Sequence, residues 1–179
     1  MKEQALIALA AILFVAPHSL AARANAAAQQ QQMDYLTDAE ADKIRDAYFP
    51  AQRIKLYLGF AEDRINRFEY EIHRPVPDRR RDEILNALLN GYVGCVDDAA
   101  DQIAIAQEKQ MDIREPLKLM VAKYKNFLDI LAKYELNGPD LDVYKDNLDD
   151  AIEGTKDALA DAEETRKTMP PPPVRRKQQ

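Results

Sequence analysis

The sequence predicts an all-α protein, an antiparallel up-down bundle of four helices with an N-terminal signal peptide and a disordered Pro-rich basic tail. Three observations lead there. Apolar residues recur at alternating steps of three and four along four separate stretches. Segments bearing proline separate those stretches. No run alternates apolar and polar residues between turn signals as a half-buried strand would. The absence of Trp and the low Gly count, five, suit helices better than a turn-rich β-sandwich. A three-helix bundle with a loose first helix is the alternative arrangement.

The helical domain is expected over residues 37–168. Thr37 and Glu40 form a capping box, so a helix should start there. Pro50 interrupts it, which predicts a short helix to about Tyr48 and a fresh start near Pro50. From there Ile54, Leu58, Ala61, Ile65, Phe68 and Ile72 form one heptad stripe, and Pro75 and Pro77 stop the helix. Asp78 is a plausible N-cap for the second long helix, through roughly Gln110. Its broad apolar face holds Leu85, Leu88, Tyr92, Cys95, Ala99 and Ala106, widened by Ile84, Leu89, Val96 and Ile103. Asp112 and Glu115 offer another capping box, with Pro116 in the first turn. Leu117, Met120, Tyr124, Phe127, Leu131 and Tyr134 then make the third stripe, closed by Asn137-Gly138-Pro139. The fourth helix, from about Asp140 to Thr168, carries Leu141, Tyr144, Leu148, Ala151, Thr155, Ala158 and Ala162, with Ile152 and Leu159 alongside. Short connections should stack these helices antiparallel.

The first 26 residues read as a cleavable signal peptide. Lys2 gives a positive start, offset by Glu3. Residues 5–15 are an apolar run, Pro17 ends it, and Ala24-Asn25-Ala26 fits the A-x-A pattern for cleavage after Ala26. Cuts after Ala24 or Ala28 are the alternatives. The apolar run is about half the roughly 20 residues a spanning helix needs, and no later segment is long or apolar enough to span. No cysteine lies near the cut to carry a lipid anchor. Residues 27–36 read as a disordered linker. Residues 169–179 read as a disordered tail, in which prolines 170–173 hold Arg175, Arg176 and Lys177 away from the bundle. That basic cluster is either a contact for an acidic partner, membrane head groups or a wall polymer, or a frayed end.

Net charge is −6 for the chain and −7 once residues 1–26 are removed. An acidic balance argues against a nucleic-acid binder held by phosphate contacts. Charge is also uneven: residues 43–81 sum to +4 and residues 140–165 to −8. In an up-down bundle the first and fourth long helices are expected as neighbours, and opposite charge would favour that register. The single cysteine, Cys95, excludes an internal disulfide.

No catalytic constellation, cofactor site or metal site stands out. Cleavage would remove Ser19, the one serine, and His18, leaving His73 as the one histidine. A Ser-His triad therefore lacks its nucleophile. A di-iron bundle would need Glu-x-x-His on two helices. Glu69 lies four residues before His73, a spacing that predicts an ion-pair contact. Asp149, Glu153, Asp157 and Asp161 form an i, i+4 ladder, read either as a solvated face or as a cation-binding stripe. A straight helix cannot wrap oxygens around calcium as a loop does. Gly91 and Gly94 beside Cys95 mark close packing or a ligand crevice, and Cys95 itself reads as a buried, inert thiol. The C-x-x-C-H of a c-type haem is missing.

Residues 49–58, Phe-Pro-Ala-Gln-Arg-Ile-Lys-Leu-Tyr-Leu, and Ala61-Glu62-Asp63-Arg64-Ile65 resemble a pattern in uncharacterised exported helical-bundle proteins of bacteria. Those chains pair an Arg-x-Lys-Leu segment with an Ala-x-x-Arg-Leu segment on one helix. The resemblance covers about a quarter of the chain. It implies a bacterial, exported, helical protein and transfers no activity. The expected function is an exported, non-catalytic structural or protein-interaction bundle of the bacterial cell envelope, with an unknown protein or envelope polymer as partner. The alternatives are a periplasmic helical chaperone or stress sensor, and a metal-binding protein or enzyme using the fourth-helix carboxylates.

Overall fold

A computed structural model describes residues 35–169. The expected signal peptide with Ala24 and Ala26, most of the linker, and the tail beyond Met169 with Arg175, Arg176 and Lys177 lie outside those residues; Met169 itself packs against the core.

The described chain is all-helical. The elements are α1 (Asp38–Asp46), α2 (Pro50–Ile72), α3 (Arg81–Glu108), α4 (Arg114–Asn137), a 3-10 turn (Leu141–Val143) and α5 (Lys145–Thr168). The Thr37 hydroxyl accepts from the Glu40 N–H and the Glu40 carboxylate accepts from the Thr37 N–H, so the first capping box forms. Pro50 is the first residue of α2, where its missing N–H costs nothing. Tyr35 and Leu36, counted with the linker by sequence, already pack against the core.

Three helix starts differ from expectation, the fourth long helix beginning at Lys145 behind a 3-10 turn and not near Asp140. α3 begins at Arg81, not at Asp78, whose carboxylate accepts from the Arg80 N–H in a turn before the helix. α4 takes Ile113 as its N-cap, because that side chain is fully buried and fixes the chain there. Asp112 instead bonds the Arg114 backbone and guanidinium, and Glu115 pairs with Lys118, so the second capping box does not form. α3 ends in a Schellman motif: Gln110 adopts φ 53°, and Met111 and Gln110 donate to the carbonyls of Ala106 and Gln107.

The expected stripes form the core. All six positions named for α2, all six for α4, and Tyr144, Leu148, Ala151, Thr155, Ala158 and Ala162 before and along α5 are buried. α2 packs most extensively on α3, and α4 on α5. These hairpins meet through α3 against α5 and, less closely, α2 against α4. Contacts give the directions. Arg64 lies over Gly91 and Arg81 reaches the Ile72 carbonyl, so α2 and α3 run antiparallel. Asn86–Asn147, Tyr92–Thr155 and Gln107–Thr165 run in step, so α3 and α5 are parallel. Lys123–Glu62 and Tyr134–Glu69 make α4 and α2 parallel too.

This order sets α2 diagonal to α5, not beside it. The expected charge pairing of those two helices is therefore corrected. α5 pairs instead with α4 through Lys125–Glu163, 2.8 Å. Side-chain size suits the arrangement. The buried positions of α3 and α5 include Ala99, Ala106, Ala151, Ala158 and Ala162, small side chains that permit close approach of backbones. One ring of the interior is aromatic: Phe68 stands edge-on to both Tyr134 and Tyr144, with centroids 5.2 Å away in each case.

Candidate functional site

Two buried charged groups, Arg64 on α2 and Asp98 on α3, meet residues 35–47 where that segment lies against the α2–α3 hairpin. On α2, Tyr57, Ala61, Arg64 and Phe68 follow heptad steps. On α3, Gly91, Cys95, Asp98 and Gln102 do the same. Both rows therefore face inward, although four of their members are polar.

Arg64 is only 5% exposed. Its guanidinium grips the Glu40 carboxylate with both terminal nitrogens, the second at 2.6 Å, and donates to the Tyr35 carbonyl at 3.2 Å. That fork geometry is what guanidinium offers a carboxylate and ammonium does not. Burial disfavours the Glu40 charge, but the bonds from Arg64 and Thr37 outweigh it and hold the carboxyl at about 2. The Tyr35 hydroxyl donates to Asp98. Burial raises the Asp98 pKa, and the Tyr35 phenol counters it in part. Burial and the adjacent Asp98 charge raise the Tyr35 pKa well above the usual phenol range.

The glycines explain how the ring of Tyr35 reaches α3. A Cβ on Gly94 would lie 2.6 Å from two ring carbons of Tyr35, so only glycine leaves room for it. Above Gly91 stands Arg64, whose Cγ would meet a Cβ at an ordinary 3.5 Å. Of the two readings of this patch, close packing is the one the geometry supports, with the slot at Gly94 filled by the chain's own tyrosine. Cys95 lies between these glycines and Asp98. It is fully buried, and burial pushes its thiol up to about 12, so it stays protonated at neutral pH. Gln102 Oε1, further along the row, is buried without a hydrogen-bond partner.

The other candidates fare differently. Glu69 and His73 meet through the Tyr134 hydroxyl, which donates to Glu69 at 3.2 Å and lies 3.2 Å from His73 Nε2. Burial, then Glu69, pushes the Tyr134 hydroxyl up to about 12. In the carboxylate ladder, Asp149 is bonded to Lys145 at 2.6 Å, while Glu153, Asp157 and Asp161 are exposed. Among the described residues no three His, Cys, Asp or Glu side chains gather as a metal site. No helix among them is long and apolar enough to cross a membrane. An open groove of about 310 Å³ runs between α3 and α5, lined by Ile103, Gln107, Asp161, Glu164 and Thr165 among others.

No protein-family model, curated protein or solved structure matches the chain.

Sequence reasoning did not single out Tyr35 or Asp98, took Tyr57 and Arg64 only as part of a resemblance, and read Glu40 only as a cap. The available signal was spacing. Arg64 and Asp98 occupy heptad positions continuous with buried residues, where a charge needs a partner. Chemically, the cluster binds carboxylate to guanidinium and phenol to carboxylate within one chain. These contacts fasten residues 35–47 to the hairpin.

Proposed function

We propose that the protein is an exported, non-catalytic structural or protein-interaction module of the bacterial cell envelope, built as two antiparallel helical hairpins packed together, with its N-terminal segment fastened to one of them. The observation that carries this reading is the use made of the buried polar groups. Arg64, Glu40, Asp98 and Tyr35 are committed to one another, and Cys95 is buried as a protonated thiol. Export rests on the signal pattern of residues 1–26, and partner contact rests on Arg175, Arg176 and Lys177 beyond the proline run.

Two measurements test it. N-terminal sequencing of the protein recovered from an expressing bacterium is expected to start at Ala27. A start at Met1 in the cytoplasmic fraction would remove the export reading. The chain from Ala27 and a variant with Arg175, Arg176 and Lys177 changed to Glu are then immobilised and exposed to solubilised envelope material. A component retained by the first and lost from the second supports the interaction reading. Retention of nothing by either one contradicts it.

Exposed aromatic surface favours a second reading, a helical chaperone. Tyr48 is 86% exposed and Phe49 52%, side by side at the α1–α2 corner. Failure of the protein to slow aggregation of an unfolded client would end that alternative.

A further inference from the structure

We infer that residues 35–47 form a latch, which opens and closes as a unit on the α2–α3 hairpin while the four long helices stay packed. The inference does not depend on the proposed function.

The attachment is local and mostly polar. Ile44 is the one buried residue within α1, joined by Ala47 just after it. Beyond the partly buried packing of Tyr35 and Leu36, the hold comes from Arg64 on Glu40, from Arg64 on the Tyr35 carbonyl, and from Tyr35 on Asp98. Segments with few buried apolar contacts open at lower free energy than the whole fold does. A hinge is present as well. Residues 47–49 are non-helical, with Tyr48 and Phe49 exposed, and one bond from Arg53 Nε to the Ala47 carbonyl crosses them, 2.9 Å. Because Pro50 has no N–H and the Gln52 and Arg53 N–H groups donate to the Phe49 carbonyl, the first turn of α2 needs no acceptor from α1 to remain intact.

The closed latch covers a defined surface. The Tyr35 ring fills the space over Gly94, the residue before Cys95 in α3, and its hydroxyl bonds Asp98 three residues further on. Opening uncovers the slot, leaves Arg64 without its carboxylate and admits solvent to Cys95. Cys95 is the single cysteine of the chain, so its reactivity reports the latch without any added label site.

The test is thiol labelling of the full chain with a small aromatic disulfide reagent at mildly alkaline pH, across urea concentrations below the unfolding transition. In the wild type, the labelling rate is expected to vary only weakly with urea, because local opening exposes little surface. Gly94→Ala, whose Cβ collides with the Tyr35 ring, and Glu40→Gln, which removes the charge facing Arg64, should each label at least tenfold faster while keeping the far-UV helical signal. A wild-type rate with the same urea dependence as unfolding followed by circular dichroism would overturn the inference. So would variants that label at the wild-type rate. If a variant loses its helical signal, the wild-type urea dependence decides alone.

Discussion

Gly94 and Gly154 have the same side chain and opposite environments. Nothing lies within 4 Å of a Cβ added at Gly154 or Gly59, whereas at Gly94 the Tyr35 ring occupies that space. Ala is preferred over Gly in a helix interior by about 1 kcal/mol. Gly59→Ala and Gly154→Ala are thus expected to stabilise the protein by up to about 1 kcal/mol each, measured by urea denaturation, where a loss of stability would count against the placement. Gln110 carries a positive φ that glycine adopts at less cost. Gln110→Gly should likewise raise stability, by about 0.5–1 kcal/mol, and a fall would show that the Gln110 side chain contributes more than the strain removes. Thr155 behaves in the opposite sense. Its hydroxyl, fully buried, meets the Tyr92 hydroxyl at 2.6 Å. Thr155→Val strands that phenol and should cost about 1–3 kcal/mol, with Tyr92→Phe recovering part of the loss in the double variant.

At the scale of elements, the long stripes were legible because a core face needs only apolar groups at helical spacing. Leu117, Tyr124, Phe127 and Leu131 are fully buried as that spacing requires. The helix starts were less legible. Asp78 and Asp112 have good capping chemistry, but the buried Ile113 and the turn at Asp78 set where α4 and α3 begin. α1 was legible as a helix and not as a docked one, since its partners lie 24 and 63 residues away in sequence. Its docking carries an acid dependence with a definite sign. Glu40 is drawn down from 4.5 to about 2, so its contribution is complete above about 4.5 and is lost as pH falls toward 2. The groups facing it are Arg64 and Thr37, with Asp63 also on Arg64. Asp98, whose pKa is raised, changes stability in the opposite direction as it protonates. Comparing Glu40→Gln with wild type isolates the first effect. The wild-type melting temperature should fall more steeply between pH 4.5 and 2 than that of the variant, and parallel curves would contradict the pairing.

For the whole molecule, composition and spacing led to an all-α chain, but not to the way the hairpins meet. Charge suggested α2 beside α5, whereas α5 packs on α4 and α3 instead. Exposed charge pairs are worth about 0.2–1 kcal/mol each, less than the close packing they would have to oppose. The same reasoning explains why the candidate site was hidden. Arg64 and Asp98 look like surface charges until the fold encloses them, and burial then makes a partner obligatory. Arg64 and Asp98, through Glu40 and Tyr35, fasten residues 35–47 to the bundle. A double-mutant cycle on Glu40→Gln and Arg64→Met, read by urea denaturation, tests this attachment most directly. A buried, bidentate pair predicts a coupling of about 1.5 kcal/mol or more. A coupling below about 0.5 kcal/mol, as solvent-exposed pairs give, would contradict the docked arrangement.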